Sequence, residues 1–115
     1  MNKELIINTY ENNDLLFKEN LLGVLENNIL KYENDTDSFK IDLTNLIFYK
    51  ENLESILEIT KENALLTLKE IEKTFEILLN KYIFSVKNNK IVIEYQLESQ
   101  EMPLKIEIEM SDNNA

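Results

Sequence analysis

In this 115-residue chain the side chains able to move a proton or hold a metal are carboxylates, lysines, tyrosines and a few serines. Histidine and cysteine are absent, which removes the usual general base, the usual strong nucleophile and the thiolate ligands of zinc. Two groupings of carboxylates invite a chemical reading. Glu94 and Glu107 could act as an acid and a base, but both fall on the polar side of alternating segments, with no pocket to shift their pKa values. The run Asn34-Asp35-Thr36-Asp37-Ser38 resembles the opening of a calcium loop, with Asn34, Asp35 and Asp37 as oxygen donors. It lacks the glycine and distal glutamate such loops need, so it reads as an Asx-rich turn. No G-x-S-x-G, Gly-rich phosphate loop or H-E-x-x-H occurs. The expectation is a protein that is not an enzyme and needs no cofactor and no metal.

Charge is the stronger signal. The net charge is -10, and all twelve basic residues are lysine. Without arginine the chain lacks the bidentate fork used on phosphate and guanine, and its lysines are scattered among glutamates. Direct nucleic-acid binding is therefore not expected. The absence of cysteine fits a reducing, cytoplasmic setting. The first residues hold too short an apolar run for a signal peptide, and no segment reaches the roughly eighteen apolar residues of a membrane span. Abundant Asn, Lys and Ile with one Gly, one Pro and no Trp match AT-rich coding, as in a low-GC bacterium or a phage or mobile element within one.

The elements that would position these groups follow from periodicity. Residues 1–110 read as one domain, long enough to bury roughly two thirds of the unfolded surface, and residues 111–115 read as a disordered tail. From Asp14 to Tyr32, Leu15, Leu22, Leu25 and Ile29 recur at helical spacing, capped by Asn13 or Asp14. Gly23 lies inside that helix, where it costs about 1 kcal/mol relative to Ala unless it permits a close contact. Phe39, Ile41 and Leu43 alternate as a strand. Residues 46–50 fit either a second strand, with Ile41 opposite Phe48, or the start of a helix; the expectation is a short strand and then a helix from about Asn52. Ala64, Leu65, Leu68, Ile71, Phe75, Leu78, Leu79 and Tyr82 give the strongest helical period.

The last thirty or so residues alternate instead. Asn88 and Asn89 suit a tight turn that sets Val86 against Ile91 and Phe84 against Ile93, and a second reversal brings Leu104, Ile106, Ile108 and Met110 alongside. The expected fold is α+β, an antiparallel sheet including a C-terminal three-stranded meander with two or three helices packed on one face. Glu94, Glu98, Glu107 and Glu109 then share the opposite face. One register sets Glu94 opposite Glu107; a shift of two residues sets Glu94 opposite Lys105 and Lys90 opposite Glu109, removing the like-charge contact.

Such a face is ordinarily just solvated. Its functional reading is an acidic contact surface of Glu94, Glu98, Glu107 and Glu109, extended by Glu54 and Glu58. The corresponding function is a small non-enzymatic inhibitor, encoded by a phage or mobile element, that blocks a basic, nucleic-acid-handling surface of a bacterial nuclease or defence effector. Phage inhibitors of bacterial defence, anti-CRISPR proteins among them, are similar in size and charge, though no motif carries the likeness. The alternatives are an immunity protein for a bacterial toxin, and a secretion chaperone or assembly factor. A chaperone would expose an apolar patch, for which Phe17, Ile47, Leu66 and Ile77 are candidates.

Overall fold

The computed structural model describes residues 1–113 and contains, among them, eleven β-strands and no helix. Short polar turns explain why the chain keeps reversing. Asn12-Asn13, Asn27-Asn28 and Asn88-Asn89 each hold both residues at positive φ, at 49° and 69°, 52° and 64°, and 50° and 65°. That is the type I′ geometry of two-residue hairpins, and Asn tolerates it better than other residues with a Cβ. These pairs join β1 (Asn2–Glu11) to β2 (Asp14–Glu26), β2 to β3 (Ile29–Glu33), and β9 (Leu79–Lys87) to β10 (Lys90–Leu97).

A second device closes the hairpins between them. The side chains of Asn34, Asp42, Asn52 and Thr60 each accept backbone N–H groups two and three residues on, at 2.8 to 3.4 Å. These Asx- and Ser/Thr-type turns connect β3 to β4 (Ser38–Asp42), β4 to β5 (Ile47–Glu51), β5 to β6 (Ser55–Ile59) and β6 to β7 (Ala64–Leu68). A turn over 69–72, with Glu72 at φ 52°, leads to β8 (Lys73–Ile77), and β11 (Leu104–Asp112) closes the chain.

All neighbouring strands are antiparallel, in the order β8-β7-β6-β5-β4-β3-β2-β1-β11-β10-β9. The two outermost strands of that order, β8 and β9, are joined through Leu78 alone, so the sheet curls into a nearly closed barrel. Its interior is a continuous apolar core. Leu30, Ile41, Phe48, Ile59 and Ala64 form one cross-strand row from β3 to β7, and the inward residues of the opposite wall include Leu5, Ile7, Ile91, Ile93, Ile106 and Ile108. Burying each such aliphatic side chain stabilises by about 1.5–3 kcal/mol.

The α+β expectation is overturned. Residues 14–32 are not a helix but β2, an Asn-Asn turn and β3, and residues 52–82 form β6 to β8 and the start of β9. Apolar residues of both strand faces, outward Leu15 and Leu22 together with inward Leu25 and Tyr32, fall at spacings that imitate a helical stripe and mask the period of two. The strand expected over 39–43 is β4 (Ser38–Asp42), residues 46–50 take the strand alternative within β5 (Ile47–Glu51), and Ile41 pairs with Phe48, Val86 with Ile91 and Phe84 with Ile93 as expected. The final hairpin takes the charge-compatible register, with Glu94 opposite Lys105 and Lys90 opposite Glu109. The meander therefore packs on the far wall of its own barrel, not on helices. β11 extends to Asp112, two residues into the segment read as a tail, with Ser111 opposite Glu4 and Asp112 opposite Lys3; residues 114–115 of that segment lie outside the described residues.

Gly23 does permit a close contact. A Cβ there would stand 2.7 Å from Leu5 Cδ1 and 3.1 Å from the Lys31 carbonyl oxygen. At this point β2 divides: only Gly23–Glu26 ladder to β3, whereas the long N-terminal part of β2 pairs with β1 alone. The barrel wall is open there. No helix among the described residues is long and apolar enough to cross a membrane.

Candidate functional site

On the outer face of β10 and β11, Glu94, Glu107 and Glu109 point away from the core, as alternation predicts. Two of them are already partnered. Lys81 Nζ lies 3.1 Å from Glu94 and Lys90 Nζ 3.3 Å from Glu107, and the two glutamate side chains are only 15% and 19% exposed. Lys105 Nζ sits 4.8 Å above the Tyr10 ring. Burial by itself raises the Glu107 carboxyl, but the Tyr10 hydroxyl, Lys90 and Lys105 outweigh it and hold the group below the ordinary glutamate value. This face is a charge-balanced lattice. Its open carboxylate is Glu109, which is exposed and forms no ion pair among the described residues.

The remaining candidates lie elsewhere. Glu98 is exposed in the turn after β10, Glu54 is exposed in the β5–β6 turn, and Glu58 lies on β6 opposite Tyr49. Strand β6 does not neighbour β10 or β11, so the six glutamates do not form one continuous field. A different acidic cluster arises at the end of the barrel. There the Asn12 N–H donates to the Pro103 carbonyl at 3.0 Å, tying the β1–β2 turn to the β10–β11 connection. Glu11, Asp14, Glu98 and Glu101 are exposed on these two loops, beside the exposed side chains of Leu15 and Met102. None of the four carboxylates is ion-paired among the described residues. Glu11 and Asp14 flank the Asn-Asn turn, and reading that dipeptide as a hairpin is what would have located them.

A broad depression of about 670 Å³ lies over β2 to β5. In it Lys31 stands directly opposite Lys40, whose ammonium is held 4.7 Å over the Tyr49 ring. Glu51 accepts from the Tyr49 hydroxyl at 3.2 Å and pairs with Lys69 at 2.7 Å. The Lys69 contact first, then Tyr49, keeps the Glu51 carboxyl below its ordinary value.

The opening between β2 and the β3–β4 turn leads inward to a cavity of about 220 Å³. Its walls include Phe17, Tyr32, Phe39, Phe48 and Tyr95, which is half of the chain's five tyrosines and five phenylalanines. Tyr32 stacks on Phe39 with ring centres 4.7 Å apart, Phe39 meets Phe48 at 6.1 Å, and Phe48 meets Tyr95 at 5.6 Å across the barrel. Polar groups also line it: Glu19, Asn34, Thr36, Asp37 and Lys50. The Tyr32 hydroxyl is buried with no hydrogen-bond partner in the protein. Burial pushes its pKa far up and the Glu19 charge adds to this, while Tyr95 is pushed up to about 12 by burial and then by Asp37. Both phenol groups thus feel carboxylates of the cavity lining.

Asn34 and Asp37 belong to an Asx turn, in which Asn34 Oδ1 accepts the Thr36 and Asp37 N–H groups at 3.0 and 2.8 Å. Asp37 also accepts from Thr36 Oγ1 at 2.8 Å and from Asn52 Nδ2 at 3.3 Å. Among the described residues no group of three or more His, Cys, Asp or Glu side chains is placed to hold a metal ion. The aromatic cavity was invisible in the sequence because four of its rings lie on the consecutive strands β2 to β5, read in the sequence partly as helix, and the fifth, Tyr95, comes from β10. Comparison with protein-family models, with curated proteins and with solved structures found no match.

Proposed function

We propose that this chain is a small, non-enzymatic binding protein that docks its carboxylates on a basic, nucleic-acid-handling surface of a bacterial nuclease or defence effector. The observation that supports this is the tip formed by the 11–14 and 98–103 loops. It offers Glu11, Asp14, Glu98 and Glu101, all exposed and without ion pairs among the described residues, on the same two loops as the exposed apolar side chains of Leu15 and Met102. Exposed carboxylates and exposed apolar side chains on one pair of loops suit a protein contact, and ten surplus negative charges accelerate encounter with a positive partner. Glu94 and Glu107 are withdrawn as contacts by their lysines, whereas Glu98 and Glu109 remain, with Glu54 and Glu58 outside the tip. An immunity protein facing a toxin would use the same chemistry.

The test is capture of a basic partner from bacterial lysate on the immobilised chain at low and high salt, followed by association kinetics with that partner. Reversing Asp14, Glu98 and Glu101 to lysine is expected to slow association and flatten its salt dependence. Binding that ignores both salt and the triple reversal refutes the proposal. A chaperone or assembly role draws support from the open edge of β2, where Leu15, Leu16 and Phe17 are exposed and an added strand could pair. Salt-insensitive capture of unfolded segments is the outcome that favours it.

A further inference from the structure

Three free strand edges stand out on the barrel: residues 14–22 of β2, which have no ladder to β3, and the outer sides of β8 and β9. Free N–H and C=O groups recruit other strands, and natural sheets guard such edges with charges, bulges or short length. The β2 stretch carries Asp14, Lys18 and Glu19 and a register shift opposite Thr9 and Tyr10. Strand β8 has only five residues and carries Lys73 and Glu76. Strand β9 has nine, and its run Tyr82-Ile83-Phe84-Ser85-Val86 holds no charge. Its register shift falls at Gln96 and Leu97, opposite Leu79–Lys81, ahead of that run. Ile83 and Val86 are 45% and 44% exposed on it.

The Asn88-Asn89 turn makes Lys87 and Lys90 a hydrogen-bonded pair, so by alternation Tyr82, Phe84 and Val86 aim their N–H and C=O groups away from β10. No backbone hydrogen bond meets them on that side among the described residues. The Tyr82 hydroxyl donates to the Leu46 and Ile59 carbonyls at 2.9 and 3.3 Å, tying the start of β9 to the β4–β5 turn and the end of β6. The stretch left open is 83–87.

Charge and size decide what fits it. Strand β9 contains Lys81 and Lys87 and no carboxylate, so it adds nothing to the repulsion between two copies of a chain carrying -10. A two-fold axis at Ser85 pairs Phe84 with Val86 and Ile83 with Lys87, each twice. Moving the axis to Phe84 sets Lys81 against Lys87, a like-charge contact, and moving it to Ile83 draws the pairing into the tied start of the strand. At the axis Ser85 meets itself at a non-hydrogen-bonded position, where Cα atoms approach to about 4.5 Å and a small side chain fits.

We propose that this chain forms a two-fold homodimer in which β9 pairs antiparallel with β9 of a second copy, in the register centred on Ser85. Phe84 and Val86 exchange main-chain hydrogen bonds on both sides of the axis. On the core side of the strand the same two residues cover each other, which gives the exposed Val86 an apolar neighbour. The surface is self-complementary, as an isologous contact requires, and it is separate from the acidic tip.

The experiment uses the full chain. Sedimentation equilibrium up to millimolar concentration is expected to show monomer and dimer and nothing larger. Ser85→Lys, at an exposed position and checked by circular dichroism, places two ammonium groups at the axis and is expected to weaken self-association roughly tenfold. The chain has no cysteine, so Ser85→Cys supplies a lone thiol that is expected to form a disulfide dimer on oxidation with diamide, its Cα separation across the axis lying within disulfide range. Ile83→Cys, which faces Lys87 of the other copy, is expected to cross-link at least roughly tenfold more slowly. A wild-type chain that stays monomeric at millimolar concentration overturns the proposal, as does assembly into open-ended oligomers. So does a Ser85→Lys dimer of wild-type affinity, or cross-linking of Ile83→Cys as fast as Ser85→Cys.

Discussion

Lys90 pairs with Glu107, 3.3 Å away, although the residue directly opposite it in the β10–β11 ladder is Glu109. The diagonal reach leaves Glu109 open to solvent and buries most of Glu107. Because the folded Glu107 carboxyl lies below its ordinary value of 4.5, its contribution to stability is complete above that value and is lost as pH falls through the lower folded one. Urea titrations of the wild type and Glu107→Gln are expected to differ most near neutrality and to converge in acid. A difference that grows on acidification contradicts the assignment.

Ile93→Ala removes a fully buried side chain of β10 and is expected to cost about 2–5 kcal/mol. Its neighbour Glu94 faces out and holds Lys81 at 3.1 Å, so Glu94→Ala is expected to cost less than about 1 kcal/mol. Chemical denaturation of both variants checks the face assignment, and equal losses refute it.

Tyr32→Phe keeps the stack on Phe39 and deletes a buried hydroxyl with no protein partner. A gain of about 1–3 kcal/mol is expected, the desolvation cost of such a group. A loss of stability, read by thermal melting, places a partner on that oxygen.

Leu46 sits at φ 57°, in the left-handed region, where a branched aliphatic residue is strained. Leu46→Gly relieves this and retains the carbonyl that accepts the Tyr82 hydroxyl at 2.9 Å. The expected change is about +0.5 to +1 kcal/mol, since the strain of order 1–2 kcal/mol is partly offset by glycine's entropy. An unchanged or lower midpoint in urea refutes it.

Gly23→Ala is expected to destabilise by about 1–3 kcal/mol through overpacking. Its Cβ would press on Leu5 Cδ1, which can turn aside, and on the Lys31 carbonyl, which is held in the β2–β3 ladder. Stability equal to wild type means that β2 shifts at no cost.

What the sequence determined by itself was local. Alternation from Lys90 to Met110 sorted Ile91, Ile93, Ile106 and Ile108 from Glu94, Glu107 and Glu109, because a strand has a period of two and one buried face enforces it. The register of the β10–β11 hairpin stayed open between two pairings and was decided by the structure, with Glu94 opposite Lys105, whereas the Asn88-Asn89 dipeptide marked the β9–β10 turn. The same signal stood at Asn12-Asn13 and Asn27-Asn28, and turn-forming residues recur at Asn34, Asp42, Asn52 and Thr60, a spacing of eight to ten residues that belongs to an all-β chain. Helical periodicity outweighed those signals, since leucines on both sides of short strands satisfy steps of three and four as readily as steps of two. Closure was decided only in three dimensions. The pairing of β1 with β11 joins residues about a hundred positions apart, and whether β10 packs on helices or on the far wall of its own sheet depends on the summed twist and bending of every strand between. The acidic tip and the aromatic cavity are products of that closure: the Asn12–Pro103 hydrogen bond and the Phe48–Tyr95 contact each bring together segments with no local relation in the chain.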